Sequence, residues 1–142
     1  MSFGNTFEND LLKLIFNGTA IGNIADNAGT SPLTNLYLSL HTADPGEAGT
    51  QETNEATYTS YARQAVARSG SGWTVTANSV SPAATIDFPE ATGGTETITH
   101  VAIGTAETGA GKVLAYGALS SSIAISSGTI PSVTTATTIT LD

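Results

Sequence analysis

Two histidines, one acidic loop and scattered serines are the only places where this sequence could hold chemistry. His41 closes a leucine-rich strand three residues before Asp44, and His100 lies inside a later strand. A metal site or an acid–base pair could recruit them, and His41 could share a hydrogen bond with Asp44 across a turn. Neither has the company such sites need: there is no Cys, no H-x-x-x-H spacing and no carboxylate triad, so structural roles are expected. Asp44, Glu47, Glu52 and Glu55 crowd one loop, as calcium ligands do, but the pattern D-x-[DN]-x-[DN]-G is missing and a solvated acidic loop is the plainer account. No serine sits in a G-x-S-x-G elbow. Gly109-Ala110-Gly111-Lys112 is faintly like a phosphate loop, yet it lacks the earlier glycine and the Ser or Thr after Lys112. No enzyme, no cofactor and no metal site is expected.

The singular residues are of another kind. Trp73, the only Trp, opens the strand Trp73-Thr74-Val75-Thr76, where it is either a core plug or an interface anchor. Arg63 and Arg68 are two of only four cations and pair either within the fold or across subunits.

The composition says what kind of scaffold must position them. Charged residues make up 11% of 142, less than half the roughly 25% of an ordinary soluble domain. Thr, Ser, Ala and Gly take their place, and Thr is β-branched and stiff, which favours pleated sheets and argues against a helical bundle. Four Lys and Arg against 12 Asp and Glu leave a net charge of −8. That cannot supply a basic face, so neither nucleic acid nor an anionic membrane surface is an expected partner. No apolar run approaches the ~20 residues of a membrane span, and the acidic start MSFGNTFENDLLK does not read as a secretory signal.

The charges are unevenly spread. Segment 113–141 has none, and it is either central strands of one sheet or a surface covered by another subunit. A helix is predicted near the start, capped by Asn5 or Thr6 and stopped at Asn17-Gly18, with Phe7, Leu11, Leu14 and Ile15 at helical spacing. Its apolar face either packs on its own domain or docks on a neighbour, because three turns alone are marginal in water. Residues 19–33 read as a loose arm. From Asn35 the period becomes two: Leu36, Leu38 and Leu40 alternate with Tyr37, Ser39 and His41, a half-buried strand ended by Asp44-Pro45-Gly46. Segment 46–57 is polar and predicted to be an exposed loop. Further strands are expected at 58–68, 73–78, 84–88, 97–103, 112–119, 122–126 and 137–141. Short strands at this spacing give an antiparallel β-sandwich or jelly-roll-like barrel. The domain reading is a helix and arm over 1–33 and a single β-sandwich domain over 34–142.

The run Leu36-Tyr37-Leu38-Ser39-Leu40-His41-Thr42-Ala43-Asp44-Pro45-Gly46 resembles the opening strand of a family of small tailed-bacteriophage virion proteins. The Glu-containing loop, Tyr61-Ala62-Arg63, Trp73 and the Thr97–His100 segment continue the likeness over most of 34–142. Members are described either as head decoration proteins or as tail-fibre-like proteins. The resemblance implies a virion structural protein made in the host cytoplasm.

A chain without a long repetitive shaft suits a cap on a shell, and an acidic one would be repelled from the DNA side of a capsid. The expectation is a decoration, or cement, protein on the outer surface of the head. It would stabilise the shell of major capsid protein by binding only the assembled form, itself most simply a homotrimer on a threefold position. The alternative is a tail, tail-tip or fibre component contacting the host surface. The residues expected to mediate contacts are Phe7, Leu11, Ile15, Arg63 and Trp73.

Overall fold

The computed structural model describes residues 5–21 and 32–141. The fold is mainly β, with antiparallel sheets and one N-terminal helix, as the antiparallel β-sandwich reading requires. The chain forms two compact units, each built from separated segments. The first comprises Met1–Asn35, Val66–Thr85 and Val133–Asp142; the second comprises Leu36–Ala65 and Ile86–Ser132. Of the predicted arm, residues 22–31 lie outside the described residues.

In the first unit, helix α1 (Asn5–Asn17) starts with Glu8 in its first turn and stops where Gly18 takes φ +66°, a left-handed conformation that suits glycine. Its last turn contains no basic residue. Arg68 supplies the missing cation from elsewhere in the chain, donating from Nε to the Ile15 carbonyl (2.6 Å) and from Nη2 to that of Leu14. The helix packs on β3 (Trp73–Thr76) and β4 (Ser79–Pro82).

The deeply buried row of α1 is Glu8, Leu12 and Phe16, while Leu11, Leu14 and Ile15 are half-buried. The sequence offers overlapping apolar rows four residues apart, and Trp73 selects the one carrying Phe16: the two rings meet edge-on with centroids 4.9 Å apart. The helix therefore docks internally, the first of the two fates open to it.

Strands β3 and β4 form a two-residue hairpin in register Trp73↔Pro82 to Thr76↔Ser79, and Ala77 turns the corner at φ +53°. The Asn9 side chain donates to the Ala77 carbonyl (2.7 Å) and fastens the helix to that turn. Strand β9 (Ile139–Thr140) completes this sheet beside β4, in the order β3-β4-β9. Asn78 holds it by exchanging hydrogen bonds with Leu141. The sequence reading missed β4, whose Ser79-Val80-Ser81 alternation is too short to stand out.

A four-stranded sheet of order β2-β1-β6-β7 is built from β1 (Asn35–His41), β2 (Gln64–Ala67), β6 (Glu96–Gly104) and β7 (Val113–Ile125), and β6 and β7 lie wholly in the second unit. A two-stranded sheet pairs β5 (Ile86–Asp87) with β8 (Ser132–Val133). Leu36, Leu38 and Leu40 are buried on one face of β1, as the alternation requires. The other face is not open: Ser39 and His41 are fully buried as well. The cover comes from the 46–57 loop, which is only in part the exposed loop the sequence predicts: Glu47, Ala48, Glu52, Asn54 and Thr57 are exposed, but Gln51 and Ala56 are buried. Its backbone is tied down by Ala56 N–H to Leu40 O (2.8 Å), Thr42 N–H to Asn54 O (2.9 Å) and Gln51 N–H to Gly111 O (2.9 Å). A polar segment can be buried when its polar groups all find partners.

The two strands predicted at 112–119 and 122–126 are one. Ile98 pairs with Ile123 and His100 with Ala118, so residues 119–122 of β7 bulge opposite Thr99 alone. Strand β7 ends the sheet rather than running through its middle, and β9 likewise ends its own. The uncharged segment thus supplies edge strands, not the central strands that were one of its two possible readings.

Candidate functional site

The densest polar network of the second unit is built around Arg63. The segment Tyr61-Ala62-Arg63 leads into β2, and Glu55 is brought alongside where the 46–57 loop bridges back to His41. Arg63 Nε donates to Glu55 Oε1 and Nη2 to Oε2, each at 2.7 Å, a bidentate pair. Nη1 also donates to the Ala106 carbonyl (3.0 Å) and Nη2 to that of Gly109 (2.8 Å), so the guanidinium ties down the 105–111 turn. Glu55 beside it raises the Arg63 pKa, outweighing the opposing effect of burial. The Tyr61 hydroxyl donates to Glu55 Oε1 (2.8 Å) and accepts from Leu40 N–H (3.1 Å). Burial, with the Glu55 charge adding to it, drives its pKa far above the ordinary phenol value.

Beside this network lies a cleft of about 280 Å³ lined by Glu55, Tyr61, Arg63, Glu107, Thr108 and Gly109. Arg63 and Glu55 are already spent on one another. Tyr61 keeps its proton, and Glu55 is held by three donors.

The remaining candidates are tied down in similar ways. His41 Nδ1 donates to the Thr53 carbonyl (2.8 Å), which fixes the tautomer, and Nε2 then accepts from Ser39 Oγ (2.8 Å). Burial lowers its pKa below 6.5 despite the Thr53 carbonyl and Glu55, which pull the other way. Asp44 accepts from Gly46 N–H (2.7 Å) and shapes the turn, where Gly46 has φ +73°. Among the described residues no three His, Asp or Glu side chains gather as metal ligands would.

Glu96 was not singled out by sequence, yet its carboxylate accepts from Thr57 N–H (3.0 Å) and Tyr58 N–H (3.0 Å). Burial and that carboxylate push the Tyr58 hydroxyl up to about 12. Gln51 was also missed. It is fully buried, donates to Tyr37 O (3.2 Å) and accepts from Ala106 N–H (3.0 Å). Only the flanking glycines could have pointed to it: a Cβ at Gly104 or Gly111 would run into its side chain.

Of the five residues expected to mediate contacts, Leu11, Ile15 and Trp73 belong to the first unit and Arg63 to the second. The Phe7 side chain lies outside the described residues. Leu11 and Ile15 are half-buried on α1, Trp73 is 1% exposed, and Arg63 is buried against Glu55.

A compact β scaffold whose polar groups hold loops in place is what a structural subunit needs. Comparison with known proteins gives the same class. The Gp80 family, described as podophage GP4 fiber I protein gp80, matches residues 2–141. The chain belongs to this family. As a Gp80-family member it is a phage virion protein, in keeping with the resemblance carried by residues 34–142. The family's description names a fibre, not a head decoration protein. No curated protein matches the chain.

Proposed function

We propose that this Gp80-family protein is a structural component of a podophage tail fibre, placed where the fibre meets the host surface or carries the parts that do. The observation that carries this reading is the family match across residues 2–141, whose description is that of a fibre protein. It moves the choice from head decoration, the first expectation of the sequence, to the alternative.

The geometry supports a scaffold role. Arg63, Glu55, Tyr61 and Gln51 fix the 46–57 and 105–111 loops to the sheet, so the second unit presents loops of set shape. A net charge of −8 fits contact with other proteins or with polar host surfaces and not with DNA.

Separating tails from heads of disrupted virions and counting copies by quantitative mass spectrometry tests this reading. A small number of copies in the tail fraction supports it. Hundreds of copies in the head fraction, bound to the major capsid protein, would replace it with decoration.

A further inference from the structure

The register of β1 and β6 sets the two histidines of the chain directly opposite each other, His41 fully buried and His100 half-buried. Residues so opposed share a face of the sheet, with their Cβ atoms roughly 5 Å apart. Their neighbours assign the protons of both rings. The Thr99 hydroxyl gives its hydrogen to the Thr42 carbonyl (3.0 Å) and so accepts from His100 Nδ1 (2.8 Å). His41 Nδ1 donates to the Thr53 carbonyl, which leaves Nε2 to accept from Ser39 Oγ. That is the only bond the Ser39 hydroxyl makes to a described residue, and Ser39 is fully buried.

The turn held by His41 is short and lies between two firm anchors. On one side Gln51 is buried and bonded to Tyr37, Ala106 and Gly111; on the other Glu55 is gripped by Arg63. Between them none of Glu52, Thr53 and Asn54 is buried. What fastens this turn to the end of β1 is His41 Nδ1 on Thr53 O, with the Thr42 N–H (2.9 Å) and hydroxyl (3.2 Å) on Asn54 O. A segment with so little buried apolar surface opens at far lower cost than the whole fold.

We propose that His41 and His100 form an acid-sensitive latch, holding the Glu52–Asn54 turn closed over the end of β1 when neutral and releasing it when protonated. A proton on His41 Nε2 turns that atom from acceptor to donor, so the buried Ser39 hydroxyl loses the acceptor for its hydrogen. The new charge also stands across the ladder from His100, and like charges directly opposite are destabilising. The other charged groups acting on His41 are Glu55 and Arg63, and β7 sets the uncharged Ala118 against His100. Glu55 favours a charged ring, but Arg63 already holds both its oxygens and itself opposes the charge. Water is then the better partner for the imidazolium, and the turn hung on its Nδ1 is what keeps water out. The latch stands whether or not the protein sits on a fibre.

Residue-resolved hydrogen exchange of the full chain by NMR tests this, run from about pH 7.5 to about pH 5, above the range of ordinary carboxylates, and corrected for intrinsic rates. The Thr42 amide, bonded to Asn54 O across the closure, should lose protection several-fold on acidification. The Gln51 and Ala56 amides, bonded at the two anchors, should keep theirs. His41→Gln should flatten the Thr42 profile. His100→Gln keeps a donor for Thr99 and removes the opposing charge, so the loss should become roughly threefold smaller, the worth of one like charge at this spacing in a watery medium. A flat wild-type profile overturns the proposal, as does a loss shared by Gln51 and Ala56 or one that persists in His41→Gln. If His41→Gln does not fold, His100→Gln decides: a reduced loss at Thr42 supports the latch, and an unchanged one overturns it.

Discussion

Arg63 grips both carboxylate oxygens of Glu55, at 2.7 Å each, while reaching the carbonyls of Ala106 and Gly109 with its remaining donors. One guanidinium thereby joins three separate stretches of the second unit: the end of the 46–57 loop, the approach to β2 and the 105–111 turn. The Arg63 side chain is 3% exposed and that of Glu55 15%, so solvent screens the pair little.

Removing one partner should therefore cost far more than losing a surface ion pair. Glu55→Ala strands a buried guanidinium and is expected to lower stability by about 3–5 kcal/mol, against at most ~1 for an exposed pair. Arg63→Lys keeps the charge but cannot reach both oxygens and both carbonyls, so it should recover only part of the loss. Urea denaturation measures both, and a loss below ~1 kcal/mol for Glu55→Ala would contradict this view of the site.

Gly104→Ala should destabilise by about 1–3 kcal/mol, because the new Cβ collides with the buried Gln51 side chain. In the double variant Gly104→Ala/Gln51→Ala the collision is gone, and the two losses should sum to clearly less than their separate values. Additive losses would show that Gly104 is needed for some reason other than Gln51.

His41 gives the fold a pH dependence of known sign. Its pKa is lowered by burial, so the unfolded chain takes up a proton at a pH where the folded chain does not. The stability from the neutral, hydrogen-bonded ring is complete above 6.5, the ordinary histidine value, and is lost as pH falls from there toward the lowered value. Melting temperature should fall across that window in the wild type and vary less in His41→Asn. An equally steep fall in the variant would assign the effect to other groups.

The helix offers a test of internal docking. Leu12 is 1% exposed and Phe16 3%, so Leu12→Ala or Phe16→Ala should each cost about 2–5 kcal/mol. Leu11→Asp, at a half-buried position one residue away, should cost less. The reverse order, measured by denaturation, would mean the helix is held by its Leu11 face.

The sequence carried the class of the fold and little of the site. The helix bounds, the Leu36-Leu38-Leu40 face and the Asp44-Pro45-Gly46 turn were legible because periodicity and turn chemistry are local signals. The cover over Ser39 and His41 was not, because a polar loop looks solvated until its hydrogen-bond partners, distant in sequence, are known. Arg63 stood out as a rare cation, but nothing in the spacing Glu55-x7-Arg63 distinguishes Glu55 from Glu47 or Glu52. Trp73 was narrowed to two roles, and its partner Phe16 went unnoticed because Phe7, Leu11, Leu14 and Ile15 made the more regular row. Strand β7 was split between 119 and 122, and the split falls within a bulge.

The most direct test of a fibre role is to see the protein on the particle. Electron microscopy of intact virions labelled with antibody fragments raised against the purified chain should place the label at the tail, on its fibres. Label spread over the faces or vertices of the head, with bare tails, would contradict it.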